Sequence, residues 1–426
     1  MGAIQREVKF INMKEIETRY ILSEEIFKDI QRKENVISKD ELMSYYFDSD
    51  NLSFYKNRNT LKIRKESNNY FIYFKSASEN IDQKKEMKER IEEKKQLSIE
   101  EINSLILHGI SNKKFKEIFG FDINVENLHN IGKIKNNRYS LKCKKDIYVF
   151  LDSYEINEKK HYCIEFECNN YENINEMNSI IEDFKCKYRI NHIDNTSKFN
   201  MLVRHILYDK LKYILLENIH NIDFIIIYSS SLEGVGSSQS DFDVYVSCDN
   251  KIGDYQFEFY GKEVDLEIFD YRKVMTNCNL DYLRAKFFHR ILIGEVLYEN
   301  NGLSIFKKYI HNQKIYDYVY NYRINTANSY FDDAKKFKKS NYLKAAIHKY
   351  YFAMYYFMLA YIIKKGIKVM KEKWLIYILE IYMSNDMYAK KYFDLLNNLF
   401  EERCIEDKIK KIDLFCNNII YEIELS

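Results

Sequence analysis

The segment Tyr228–Val246, YSSSLEGVGSSQSDFDVYV, limits most strongly what this chain can fold into. An apolar run, Phe224 to Tyr228, leads into a loop of small residues. After Ser230 come ten residues, then Asp241 and Asp243, set among hydrophobic neighbours. Side chains at i and i+2 of a strand point to the same face. Two like charges side by side are costly unless a cation lies between them. A Gly/Ser loop before them offers backbone N–H groups and hydroxyls to phosphate. Carboxylates, a divalent metal and phosphate are together the parts that nucleotidyl transfer needs. A second alternating run, Val264-Asp265-Leu266-Glu267-Ile268, places two more carboxylates on one strand face.

This pattern resembles the nucleotidyltransferase superfamily typified by DNA polymerase beta, over residues 203–300. The resemblance implies that Asp241 and Asp243 are the metal-binding Asp-x-Asp pair. It implies that Asp265 is the third carboxylate, with Glu267 on the same face as a further metal ligand. Ser230, Ser231 and Gly234 would hold the nucleotide phosphates. Ser229 stands where the family has glycine, the residue that allows positive φ and close backbone approach. In the following segment Arg284, Lys286 and Arg290 are candidates for contact with a triphosphate, the alternative being solvated helix cations.

The N-terminal third alternates in another way. In Met13–Leu22, MKEIETRYIL, a strand puts Glu15, Glu17 and Arg19 on one face. Acid and base together on an inward face imply a wet cavity. Strand-like runs follow around Tyr45–Ser49, Leu52–Lys56, Leu61–Lys65 and Tyr70–Lys75, then Arg90-Ile91-Glu92-Glu93, Arg138, Leu151-Asp152 and Ile164–Glu167. Residues 12–200 resemble the CYTH family, also called triphosphate tunnel metalloenzymes. The opening Glu-x-Glu-x-Lys motif ends here in Arg19, and Lys62 replaces the first arginine of Leu-Arg-Ile-Arg. The resemblance implies an eight-stranded antiparallel barrel. Glu15, Glu17, Glu165 and Glu167 would hold Mg²⁺ or Mn²⁺, and Arg19, Lys62, Arg64, Lys75, Arg90 and Arg138 would bind a triphosphate.

At 426 residues the chain has room for two or three domains. Lys+Arg 66 against Asp+Glu 64 gives a net charge of +2, so no global field steers the protein to nucleic acid and any RNA contact is local. The eight cysteines form no CxxC pair, which points to reduced thiols and a cytoplasmic location. Met1 to Lys14 lacks the apolar core of a secretory leader. Tyr350–Ile363 is too short to span a membrane and reads as a buried helix.

After residue 300 apolar positions recur at three and four spacing in 316–337, 342–365, 374–383, 389–402 and 405–423. The segment Asn341–Gly366 resembles the HEPN-like helical domains that accompany small nucleotidyltransferases. The motif of the HEPN ribonucleases, an arginine followed after four to six residues by histidine, has no convincing copy, and His348 reads as a partly buried helix residue. Asn195-Thr196-Ser197-Lys198 reads as the end of the barrel before a helix.

The expected fold is α+β and multidomain: an antiparallel β tunnel barrel (12–200), a small α/β nucleotidyltransferase core (203–300) and an α-helical bundle that closes over substrate (304–426). The expected activity is transfer of a nucleoside monophosphate from an NTP to an acceptor, either RNA/tRNA or a small molecule. The alternatives are triphosphate hydrolysis by the barrel as the main activity, or a nucleotide sensor without turnover.

Overall fold

The structure is a computed structural model. It describes residues 13–425 except 67, 78–87, 124, 126, 145, 157, 189, 191–195, 230–240, 278, 369, 371, 384–385 and 402–404. The chain forms two compact units: Met1–Leu211 with Glu258–Lys262, and Lys212–Phe257 with Glu263–Ser426.

The first unit is built on β1 (Met13–Leu22), β2 (Val36–Asp48), β3 (Thr60–Glu66), β4 (Asn69–Ala77), β5 (Lys88–Leu97), β6 (Ile110–Ser111), β7 (Asn127–Leu141), β8 (Ile147–Ile156) and β9 (Lys159–Cys168). They pair in the order β2-β3-β4-β5-β1-β9-β8-β7-β6, and β2 also pairs with β7. Eight strands therefore close on one another. The two faces divide sharply by chemistry. Ile16, Tyr20, Ile164 and Phe166 lie in one apolar cluster with Phe27 and Ile30 of helix Glu24–Lys33 and Met177 and Ile181 of helix Ile174–Tyr188. Leu61, Ile63, Ile72 and Phe74 pack likewise on Ile102 and Leu105 of helix Ile99–His108 and Phe115 of helix Asn112–Phe119. Helix Ile99–His108 begins at a capping box in which Ser98 and Glu101 each accept a backbone N–H. Burying the apolar side under helices leaves the alternate, charged positions to the other face.

The second unit carries β10 (Ile222–Tyr228), β11 (Phe242–Cys248), β12 (Gly253–Phe259), β13 (Lys262–Phe269) and β14 (Glu295–Glu299), in the order β12-β13-β11-β10-β14. β10 is buried throughout: Phe224–Tyr228 is an apolar run suited to a covered strand, and the buried Asp223 is paired with Arg272 at 2.7 Å. Its Phe224 and Ile226 pack with Phe288 and Ile291 of helix Tyr282–Ile293 and Phe306 of helix Leu303–Asn312.

Further helices follow at Ile315–Lys339, Leu343–Lys364, Leu375–Tyr382, Met387–Glu401 and Ile405–Leu425. Their core includes Tyr350, Ala353, Phe357 and Ile362, so the apolar run ending at Ile363 is buried in protein. No helix among the described residues is long and apolar enough to cross a membrane. His348, expected to be partly buried, is exposed, because its position falls on the outward side of the helix that buries Ala346 and Tyr350.

Gly294 ends helix Tyr282–Ile293, its N–H bonding to the Arg290 carbonyl at 2.8 Å. A Cβ there would lie 2.4 Å from Ile226 Cγ2 and 2.7 Å from the Arg290 carbonyl oxygen. Gly294→Ala is therefore expected to destabilise the second unit by about 1–3 kcal/mol, the usual cost of overpacking. A denaturant melt of the variant checks this.

Candidate functional site

On the charged face of the first unit, strand register decides which groups meet. Arg19 of β1 lies opposite Glu165 of β9, and Glu17 opposite Glu167. Arg138 of β7 lies opposite Asp152 of β8. The side chains follow that register. Arg138 grips Asp152 side-on, with Nε to Oδ1 at 2.9 Å and Nη2 to Oδ2 at 2.7 Å, and Nη2 also donates to Glu165. Arg19 Nε donates to Glu165 at 2.7 Å, and Arg19 Nη1 donates to the Thr196 carbonyl at 2.6 Å. Lys198 completes the cluster, at 2.5 Å from Asp152 and 2.9 Å from Glu165. Asp152 and Glu165 are almost wholly buried.

Lys198 and Asp152 are the two groups to which sequence reading assigned no role. Lys198 is not the end of a linker: it is the first residue of helix Lys198–Asn218, and Thr196, Ser197 and Lys198 are all buried. The reason is electrostatic. Two buried carboxylates against two arginines leave lone pairs unfilled, and the ammonium at the helix start donates to them.

The other predicted cations line the same face. Lys75 pairs with Glu92 at 2.7 Å. Lys62 stands over the Tyr73 ring at 4.9 Å, and Arg64 donates to Ser44 at 3.2 Å. Glu15 lies opposite Arg90 in the β1–β5 register; the side chains of these two lie outside the described residues.

Burial alone would raise the Glu165 carboxyl, but Arg19, Lys198 and Arg138 reverse this and hold it well below the usual carboxylate range. Asp152 is likewise lowered, Arg138 and Lys198 overcoming burial. A depressed carboxylate contributes stability that is complete above its unfolded pKa and lost as pH falls through the folded one. The first unit is therefore expected to keep this contribution down to about pH 4 and lose it below. A series of denaturant melts against pH measures the window. Asp152, Cys163 and Glu165 offer ligand atoms within 4.8 Å of one another, close enough for a single cation. Burial pushes the Cys163 thiol far up, so the two carboxylates are the donors suited to a hard ion.

In the second unit β11 and β13 run parallel, with Asp243 directly opposite Asp265 and Tyr245 opposite Glu267. Asp243 and Asp265, both expected to bind metal, thus lie side by side on neighbouring strands. Arg290 reaches Asp243 at 3.1 Å and the Tyr245 hydroxyl at 2.8 Å. The Gln256 amide donates to Asp265 at 2.7 Å. Burial, then Asp254, raises the Glu267 carboxyl. Asp241 precedes β11 and is exposed. Ser230, Ser231 and Gly234 lie outside the described residues.

Residues 13–201 match the family model of the CYTH domain. A proposed adenylate cyclase from Bacillus halodurans is similar at 20% identity, covering 44% of this chain and 97% of that one, with a TM-score of 0.37. A proposed adenylyl cyclase from Hippeastrum, described as having a dominant triphosphatase activity, is similar at 15% identity over 45% and 96%, TM-score 0.36. A nucleotidyltransferase-like protein from Exiguobacterium sibiricum is similar at 13% identity over 51% and 75%, TM-score 0.34. No curated protein matches the sequence. The family match falls on the closed, charge-lined sheet just described, so residues 13–201 form a CYTH domain.

Proposed function

We propose that the chain is a metal-dependent nucleotidyltransferase, moving a nucleoside monophosphate from an NTP to RNA, tRNA or a small molecule, with a CYTH domain that holds or hydrolyses a triphosphate. The observation that carries the transferase reading is the facing of Asp243 and Asp265 across parallel β11 and β13. Asp241, Asp243 and Asp265 would hold Mg²⁺ or Mn²⁺, with Glu267 beside them. The metal, when bound, supplies charge that stabilises the in-line transition state. Asp265, steadied by Gln256, is the group suited to take the acceptor's proton. Arg290 neutralises Asp243 and is placed to turn toward a phosphate. Ser230, Ser231 and Gly234 would cradle the β- and γ-phosphates, and pyrophosphate would leave.

In the CYTH domain Arg19, Lys62, Arg64, Lys75, Arg90 and Arg138 would bind the triphosphate, joined by Lys198. Glu15, Glu17, Glu165 and Glu167 would serve the metal, with Asp152 added to that set. A second reading makes triphosphate hydrolysis here the main activity. The buried cations around Glu165 favour it, because such a cluster accommodates a polyanion. Incubation of the protein with Mg²⁺ and each α-labelled NTP, with and without cellular RNA, tests both. Label entering RNA or another acceptor supports transfer. Free hydrolysis products alone support the second reading.

A further inference from the structure

Arg323, in helix Ile315–Lys339, is fully buried. Nη1 donates to the Leu359 carbonyl at 3.0 Å and the Tyr282 hydroxyl interacts with the guanidinium, whereas Nε and Nη2 make no well-formed hydrogen bond and meet no carboxylate. Those two nitrogens form the side-on edge with which Arg138 grips Asp152 elsewhere in this molecule. That edge matches a carboxylate or phosphate bidentately. Among the described residues Arg323 has no carboxylate in ion-pair contact. An unpaired buried charge is among the most costly groups a fold can keep.

The surroundings are built around the same charge. The Tyr282 hydroxyl, close to Arg323, bonds to Glu372, and the Tyr355 hydroxyl donates to the Glu372 carbonyl at 2.7 Å. Lys286 stands over the Tyr282 ring at 4.4 Å, and the Tyr282 ring stacks on Tyr322 at 4.4 Å. Burial lowers the Lys286 ammonium, Glu372 opposing and Arg323 adding to the effect. Two cations thus share the field of a single carboxylate. One helical turn beyond Lys286, Arg290 reaches Asp243.

We propose that Arg323 and Lys286 form an oxyanion site that takes the carboxylate or phosphate of a small ligand, with Glu372 as the internal stand-in for that anion. The ligand's oxyanion takes the side-on edge of Arg323, and the Tyr282–Glu372 hydrogen bond opens to admit it. The site lies in the same unit as the Asp243–Asp265 pair, and its existence does not depend on the transferase reading.

Trp374, the sole tryptophan, lies two residues from Glu372 and reports locally on this site even though the CYTH domain has its own cations. Its fluorescence should be titrated in the full chain with inorganic phosphate and, separately, with acetate. A saturable change with one or both is expected, and which anion produces it identifies the class. Arg323→Met should abolish it. Glu372→Gln, which removes the competing charge, should tighten binding about tenfold, a factor equal to ~1.4 kcal/mol. An unchanged affinity in Glu372→Gln, a response that survives Arg323→Met, or no saturable response to either anion in the intact protein would overturn the proposal. If Arg323→Met does not fold, the Glu372→Gln titration decides alone. None of these readings requires nucleotidyl transfer, so failure of that activity is seen separately, in the label experiment.

Discussion

Asp243→Ala is expected to lower incorporation of labelled nucleoside monophosphate on the order of 10³-fold or more, as loss of several kcal/mol of transition-state stabilisation requires. The carboxylate sits at the centre of its site: Asp265 faces it across the parallel pair and Arg290 touches it at 3.1 Å. Folding should survive, because Arg290 keeps its bond to the Tyr245 hydroxyl and β11 keeps both neighbours. The assay is acceptor labelling from α-labelled NTP, run beside triphosphate hydrolysis on the same preparation. Loss of labelling with hydrolysis intact would show two independent chemistries, one per unit. Labelling that persists would remove Asp243 from the reaction and with it the transferase reading.

Glu165→Leu should have the largest effect on stability. Glu165 receives Arg19, Arg138 and Lys198 together at nearly complete burial. Removing one member of a buried ion cluster strands the others, at a cost of about 3–5 kcal/mol. A denaturant melt should show that loss in the first unit. Inorganic tripolyphosphate should return part of it, since a polyanion can occupy the place of the missing carboxylate. At 100 times its dissociation constant such a ligand adds ~2.7 kcal/mol. A variant as stable as the parent would mean that the cluster is solvated in solution. A destabilised variant that tripolyphosphate does not rescue would mean that these cations serve the fold and not a triphosphate.

The two predictions rest on the same physical device. In each unit a carboxylate meets arginine or lysine at ion-pair distance, and each such cation is also a group that a phosphate would attract. The units differ in depth. Asp152 and Glu165 are sealed from water, whereas Asp243 and its partner Arg290 remain partly exposed. Stability is therefore the sensitive readout for the first site, and activity for the second.

Much of this was legible in the chain itself. Period-two alternation was enough to place Glu17 and Arg19 on one face of a strand, whereas Asp241, expected to share the strand face of Asp243, precedes β11 and is exposed, because strand pairing begins only at Phe242. The helical periods after residue 300 likewise mark helices whose observed ends differ from the expected ones by a residue or two in most cases. These are local properties, set by backbone geometry within a few residues. What a strand faces is different. That Asp243 meets Asp265 depends on β11 and β13 lying side by side and in parallel. Lys198 reaches Asp152 and Glu165 from 46 and 33 residues away, through a helix start that reads locally as a linker. Nothing local in the sequence around Arg323 marks it as buried; the docking of helix Leu343–Lys364, whose Leu359 carbonyl accepts from it, takes it out of water. A charged residue carries no local sign of whether it will be buried. Its partners are chosen by strand order and helix docking, so the tertiary structure alone decides which charges are sealed together and which remain open to a ligand.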